Sequence, residues 1–152
     1  MADLQRVFEF AFNGKNRWPG YIRPSPKLIT GPFQIGATTI TPFPVEHGRS
    51  HVFGYLFSQN NQPLIAYFSD CKVIPEFAIE QIHGVRHLIV DALRHQPHPT
   101  HMCFAEALAL AEKVQPQETW FTHLCHDISH ATVTATLPPG VHLAYDGLKI
   151  SA

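Results

Sequence analysis

Eleven histidines stand against eleven lysines and arginines in 152 residues, and they fall in clusters. Imidazole titrates near neutrality and is the commonest metal-binding side chain, so this composition points to metal or acid–base chemistry. The clusters are His47-Gly48, the segment His95-Gln96-Pro97-His98-Pro99-Thr100-His101, and His123-Leu124-Cys125-His126-Asp127; Asp70, Asp91 and Asp146 supply carboxylates between and after them. Imidazole and carboxylate are the ligands of zinc, manganese and iron(II) in hydrolytic sites, where a bound water becomes hydroxide at neutral pH. Each element also has a plainer reading. A lone His at a strand end is usually a hydrogen-bonding loop residue, and His-x-x-His on a loop fixes no common face. Asp70 is equally a helix cap and Asp146-Gly147 equally a turn. His51, His83, His87 and His142 read as strand or helix-surface residues without a functional role.

What joins the candidates is the elements that must carry them. Thr38 to Val45 is β-branched but interrupted by Pro42 and Pro44, which predicts an edge strand or strand end. Val52–Ser58 and Leu64–Ser69 are strand-like runs joined by the polar turn Gln59-Asn60-Asn61-Gln62. Pro75 at a first helical position, with Ala78, Ile79 and Ile82 behind it and Gly84 as a stop, predicts a short helix. His87 to Ala92 is continuously apolar at its centre, as for a strand buried on both faces. Phe104, Leu108 and Ala111 recur at helical spacing over 103–114. Thr119–Leu124 and Val141–Tyr145 read as strands, whereas 128–136 is ambiguous: its β-branched residues argue against a helix and its position before Pro138-Pro139-Gly140 favours one. A hairpin followed by β-α-β-α-β is a layered α/β domain. In such domains ligands collect at the carboxyl ends of the strands, and His47, Asp70, His101, His123 and His126 all fall on that one rim.

Composition limits the classes. At 45% hydrophobic, 15% charged and net charge −1, this is a globular chain without the basic footprint of a nucleic-acid binder. No apolar run reaches the roughly 18 residues of a membrane span, and the start has no signal-peptide pattern, so a cytoplasmic location is expected. Cys71, Cys103 and Cys125 are odd in number and widely spaced, which predicts buried, reduced thiols. Residues 1–32, with Gly14, Trp18, Pro19, Gly20, Pro24, Pro26 and Gly31, read as an ordered loop or arm, and 33–152 as the domain proper.

Taken together, Pro44-Val45-Glu46-His47-Gly48, Tyr67-Phe68-Ser69-Asp70, Asp91-Ala92-Leu93-Arg94 leading to Pro97-His98-Pro99-Thr100-His101, Thr122-His123-Leu124-Cys125-His126-Asp127, Leu137-Pro138-Pro139-Gly140 and Ala144-Tyr145-Asp146-Gly147 resemble the carboxyl-terminal part of a metallo-β-lactamase-fold hydrolase. The branch that looks most similar includes phosphoribosyl cyclic phosphodiesterase. The resemblance implies an αββα sandwich with two divalent metal ions, zinc or manganese, between its sheets. It also implies roles residue by residue. His47 and His123 are ligands of different metals and Asp70 is the bridging carboxylate. His101 and His126 are the catalytic candidates, His101 as general acid for the leaving oxygen and His126 in contact with substrate. His98 and Arg94 bind substrate, while Asp91, Asp127 and Asp146 orient ligands from behind. The family's His-x-His-x-Asp-His signature, which precedes all of these segments, does not occur in this chain. The expected sandwich is therefore incomplete at its N-terminal half.

Two functions follow as expectations. One is a metal-dependent hydrolase of a small phosphodiester, its missing donors coming from a complementing N-terminal half. The other is a truncated, non-catalytic relative that binds or dimerises through the exposed sheet face. A plain histidine-rich metal buffer fits less well, because such tracts are short and unstructured.

Overall fold

The computed structural model describes residues 1–15, 19, 20 and 22–151, and divides into two compact units, Met1–Thr30 and Gly31–Ala152. In the first unit, helices α1 (Ala2–Val7) and α2 (Glu9–Phe12) stand where the sequence reading expects a loop. Neither helix buries a residue. Trp18 of the expected arm lies outside the described residues.

The second unit is α/β. Its sheet holds β1 (Phe33–Ile35), β2 (Thr38–His47), β3 (Ser50–Gln59), β4 (Gln62–Phe68), β5 (His87–Asp91), β6 (Glu118–Thr122) and β7 (Val141–Leu143), seven strands in chain order. The first four pair antiparallel, and β4 through β7 run parallel. Asn60 and Asn61, at φ 50° and 61°, form the two-residue turn between β3 and β4. Positive φ at both positions matches the twist of a hairpin, and asparagine tolerates it. Beyond Ile40, β2 has no β1 partner on its outer side. Pro42 and Pro44 share with Glu46 the N–H direction that in Glu46 points outward to the Val73 carbonyl, so their missing donors leave the β2–β3 ladder intact. The expected edge character holds for this stretch, while Thr38–Ile40 are flanked on both sides.

Helices α3 (Glu76–Ile82), α4 (Phe104–Val114) and α5 (His130–Thr134) form the crossovers. Pro75 is the N-cap of α3, so the helix starts one residue later than expected. Ala78, Ile82, Ala107, Leu110 and Val114 pack on the buried cross-strand row Phe68, Val90, Phe121 and Leu143. Each large apolar side chain so buried contributes roughly 1.5–3 kcal/mol. The other face carries the row Tyr55, Tyr67, Ile89, Trp120 and His142. Tyr67 on that face is 39% exposed and Phe53 50%. Cys71 and Cys103 are buried and free as expected, whereas Cys125 is only partly buried.

Candidate metal centre

β2 runs in the direction of β4, so the carboxyl ends of β2, β4, β5, β6 and β7 lie along one edge of the sheet. His47 is the last residue of β2, Asp70 follows β4, His101 closes the loop after β5, and His123 follows β6. Donor atoms of His47, Asp70 and His101 all lie within 4.8 Å of one another. His123 Nε2 is 3.3 Å from Asp70 Oδ1, and its ring stacks on His101 at 4.7 Å between centroids.

Hydrogen bonds fix which ring nitrogen faces the cluster. His47 Nδ1 is 2.9 Å from the Thr100 carbonyl oxygen, which can only accept, so Nδ1 carries the proton and Nε2 is left as the ligand atom. His101 Nδ1 donates in the same way to Asp91 Oδ2 at 2.6 Å. The first contact depends on Gly48. At φ +60° it makes the turn after β2, and a Cβ there would stand 2.7 Å from the Thr100 methyl group. The loop that bears His101 is also stitched down by backbone bonds: Met102 N–H to the Cys71 carbonyl (3.1 Å), Leu93 N–H to Met102 (2.9 Å) and Cys125 N–H to Leu93 (2.9 Å). Rigid loops of this kind keep donors in place before a ligand arrives.

Asp91 is fully buried. Its Oδ2 accepts from the Cys71 N–H (3.1 Å) as well as from His101, and its Oδ1 is buried without a hydrogen-bond partner among the described residues. Burial pushes its carboxyl up to about 7, against the Cys71 N–H and His123, which favour the anion. Burial and the neighbouring His47 hold His101 down. The Cys71 thiol is pushed up by burial and then by Asp91 and Asp70, so it is no nucleophile.

His123 sits at φ +61°, in the left-handed region that costs most residues about 1 kcal/mol or more. This backbone turn brings its ring to Asp70 and His101.

The remaining candidates are placed differently. Arg94 turns its guanidinium back to the carbonyls of Gln96 (3.3 Å) and Pro97 (3.1 Å), bracing its own loop. His98 Nδ1 takes the Thr100 N–H at 3.3 Å, with its ring 5.0 Å from His101. His126, its side chain 94% exposed, pairs with Asp127 at 3.2 Å and stands apart from the cluster. Asp146 is exposed and lines a cavity beside His123. Two partners escape a reading by residue type: the Thr100 carbonyl that sets the His47 tautomer, and Gly48, whose only signal is its position directly after His47. His87 and His142 are absorbed by other contacts, His87 by Trp120 and Ser151 and His142 by Glu118.

These residues fit a divalent cation. Bonds of 2.0–2.2 Å set donors on one ion roughly 3–4 Å apart. The span of 4.8 Å closes to that with a small inward movement. Nitrogen and carboxylate oxygen suit zinc and manganese alike, and a backbone carbonyl behind a ligand histidine, as Thr100 stands behind His47, is a usual support for such a site.

Comparisons with known proteins bear on the family and the fold. Residues 1–124 match the family model of the β-lactamase superfamily domain. The chain is 31% identical over 141 residues to an octanoyltransferase of Porphyromonas gingivalis, covering 89% of this chain and 27% of that protein. Among solved structures, a diphosphatase of the PhnP family superposes with a TM-score of 0.82 at 32% identity, over 98% of this chain and 54% of that one. The metallo-β-lactamase fold protein YhfI from Bacillus subtilis superposes with a TM-score of 0.70 at 19% identity, over 95% of this chain and 61% of its own. The chain thus spans about a quarter of the curated relative and about half of the diphosphatase.

Proposed function

The chain belongs to the β-lactamase superfamily, and from that premise we propose that it supplies the carboxyl-side part of the active centre of a metal-dependent phosphoester hydrolase. The observation that carries the reading is the meeting of four side chains at one edge: Asp70 within 4.8 Å of the donor atoms of His47 and His101, His123 3.3 Å from Asp70, and Asp91 behind His101. The phosphoester class rests on the likeness to the diphosphatase.

In this reading His47, Asp70 and His123 hold divalent metal, zinc or manganese. Bound metal supplies Lewis acidity and a water acidic enough to ionise near neutral pH. His101 is oriented by Asp91 so that its Nε2 faces the leaving oxygen, to which it would pass on the proton that Nε2 first takes from the attacking water. Thr100 keeps the His47 ring from turning. Further donors come from a segment bearing the His-x-His-x-Asp-His pattern, and it covers the sheet face that carries Tyr55, Tyr67, Ile89 and Trp120. Acyl transfer, named for the curated relative, is a poorer match, since the cluster is a set of metal donors and the Cys71 thiol beside it is held protonated. The same apolar face also favours a second reading, in which another copy of the chain covers it and the module is not catalytic.

Metal content by elemental mass spectrometry, followed by turnover of bis-p-nitrophenyl phosphate, separates the two. The chain alone should carry little metal and no activity. Mixed with the half of the PhnP-family diphosphatase that it does not match, it should take up about two equivalents and turn over substrate. Asp70→Ala should abolish both, and His101→Ala should slow turnover with metal retained. A metal-poor homodimer that stays inert in the mixture would establish the second reading instead.

A further inference from the structure

The segments that carry His47, Asp70 and His101 are fastened to one another through the residues next to those donors. The Lys72 N–H donates at 2.6 Å to the carbonyl of Glu46, which precedes His47, and the Glu46 N–H returns to the Val73 carbonyl at 3.0 Å. The Cys71 carbonyl accepts at 3.1 Å from the N–H of Met102, which follows His101. The Cys71 N–H donates to Asp91, the carboxylate that also holds the His101 ring. Asp70-Cys71-Lys72 is thus a strip to which the His47 and His101 segments are both tied.

A side-chain tie is added at the same strip. Lys72 Nζ lies 2.5 Å from Glu106 Oε1, while Glu106 Oε2 takes the Cys103 N–H at 2.8 Å. One carboxylate oxygen therefore caps α4 two residues after His101, and the other grips the strip two residues after Asp70. Burial favours the neutral acid, but the Lys72 ammonium and the Cys103 N–H outweigh it and hold the Glu106 carboxyl below its usual range, so the pair is ionic. The two side chains are 23% and 41% exposed. Salt and water screen such a pair less than one on the open surface. Neither residue belongs to the donor group itself. Donors that lie this close before any ion arrives have to be held by the surrounding protein.

We propose that Lys72 and Glu106 are positioning residues of the candidate centre: their ion pair locks the strip after Asp70 to the start of α4, and so keeps Asp70 in register with His101 and His47. The assignment deepens the metal-dependent reading above and rests on it. Lys72 and Glu106 act through the backbone on either side of the donors and touch neither metal nor substrate.

The test uses the full chain, metal-free in a chelator, and NMR. One readout is hydrogen exchange of the Lys72 and Met102 N–H groups, which make the crossing bonds. The other is cross-relaxation between the ring protons of His47 and His101, whose centroids are 4.6 Å apart. Lys72→Met and Glu106→Gln each break the ion pair, while the glutamine can still accept from Cys103 and keep the helix cap. Both should speed exchange at Lys72 and Met102 about tenfold and weaken the signal between the rings, with the Leu88 and Val90 N–H groups in the core of the sheet unchanged. Lys72→Arg should keep both readouts at the parent level, and the double variant should lose no more than either single one. A role in overall stability alone would spread the loss to Leu88 and Val90, and a role in capping alone would confine it to α4. Either pattern, or a ring-to-ring signal unmoved in both single variants, overturns the proposal. Metal uptake by the mixture described above is a separate outcome: its failure removes the hydrolase reading, and the clamp is still decided by these signals.

Discussion

At the scale of single residues, the centre is held by atoms that do not touch a metal. Asp91 is the clearest case. In the metal-free chain its folded carboxyl keeps its proton to about pH 7, whereas the unfolded group releases it near 3.8. Between those values the folded state binds more protons, so stability falls as pH rises from about 4 to about 7. His101, shifted down, contributes a slope of the opposite sign. Urea unfolding across this range in the presence of a chelator should show the net fall, and Asp91→Asn should turn it into a slight rise. His123 makes a second case. Because φ is +61°, His123→Gly should be more stable than His123→Ala by about 1 kcal/mol, although both lose the same ring. Denaturant midpoints of the two variants measure the difference. Equal midpoints would mean that the backbone relaxes once the ring is gone. The rim formed by His47, Asp70, His101 and His123 is legible in the sequence, because each follows a strand and strands of one direction end on one edge. The orientation of Arg94 back into its own loop and of His126 away from the cluster is not, because residue type does not encode the path of a loop.

At the scale of elements, the boundaries readable in advance are those with stereochemical punctuation: Asn60-Asn61, Pro75, and the apolar periodicity of 103–114. α5 is undecidable from sequence because its five residues, rich in threonine and valine, have no helical preference of their own. The burial of Val133 fixes it as a helix against the sheet. α1 and α2 escape for a related reason: their apolar residues mark no buried face. Packing between β3 and β4 also sets the centre. Phe68 lies over Gly54, and its ring occupies the place where a side chain on β3 would stand. It stacks on Phe43 with centroids 6.3 Å apart. Gly54→Ala should therefore cost about 3 kcal/mol or more of stability, since overpacking of a rigid core costs 1–3 kcal/mol even when neighbours adjust. Thermal unfolding checks this. A loss under about 1 kcal/mol would show that Phe68 swings aside, and Asp70, two residues on, would be expected to lose its place beside His123.

At the scale of the whole molecule, no helix among the described residues is long and apolar enough to cross a membrane. In the proposed reading, the surface that a partner covers is the sheet's second face. If a complementing segment covers it, Tyr67→Glu should leave the chain's own unfolding midpoint nearly unchanged, because Tyr67 is 39% exposed, yet block the gain of activity on mixing. Full activity in the mixture would place the contact elsewhere. A last consequence lies in the order of the strands. Neighbours in the sheet are neighbours in the chain from β1 to β7, so the sheet can grow from one edge as the polypeptide leaves the ribosome, with no strand waiting for a distant mate. His47, Asp70 and His101 are synthesised before β6, and the His123 that meets Asp70 arrives only after that strand, as does the Cys125 N–H that ties down Leu93. The centre is thus finished only after most of the strands that carry it have been made.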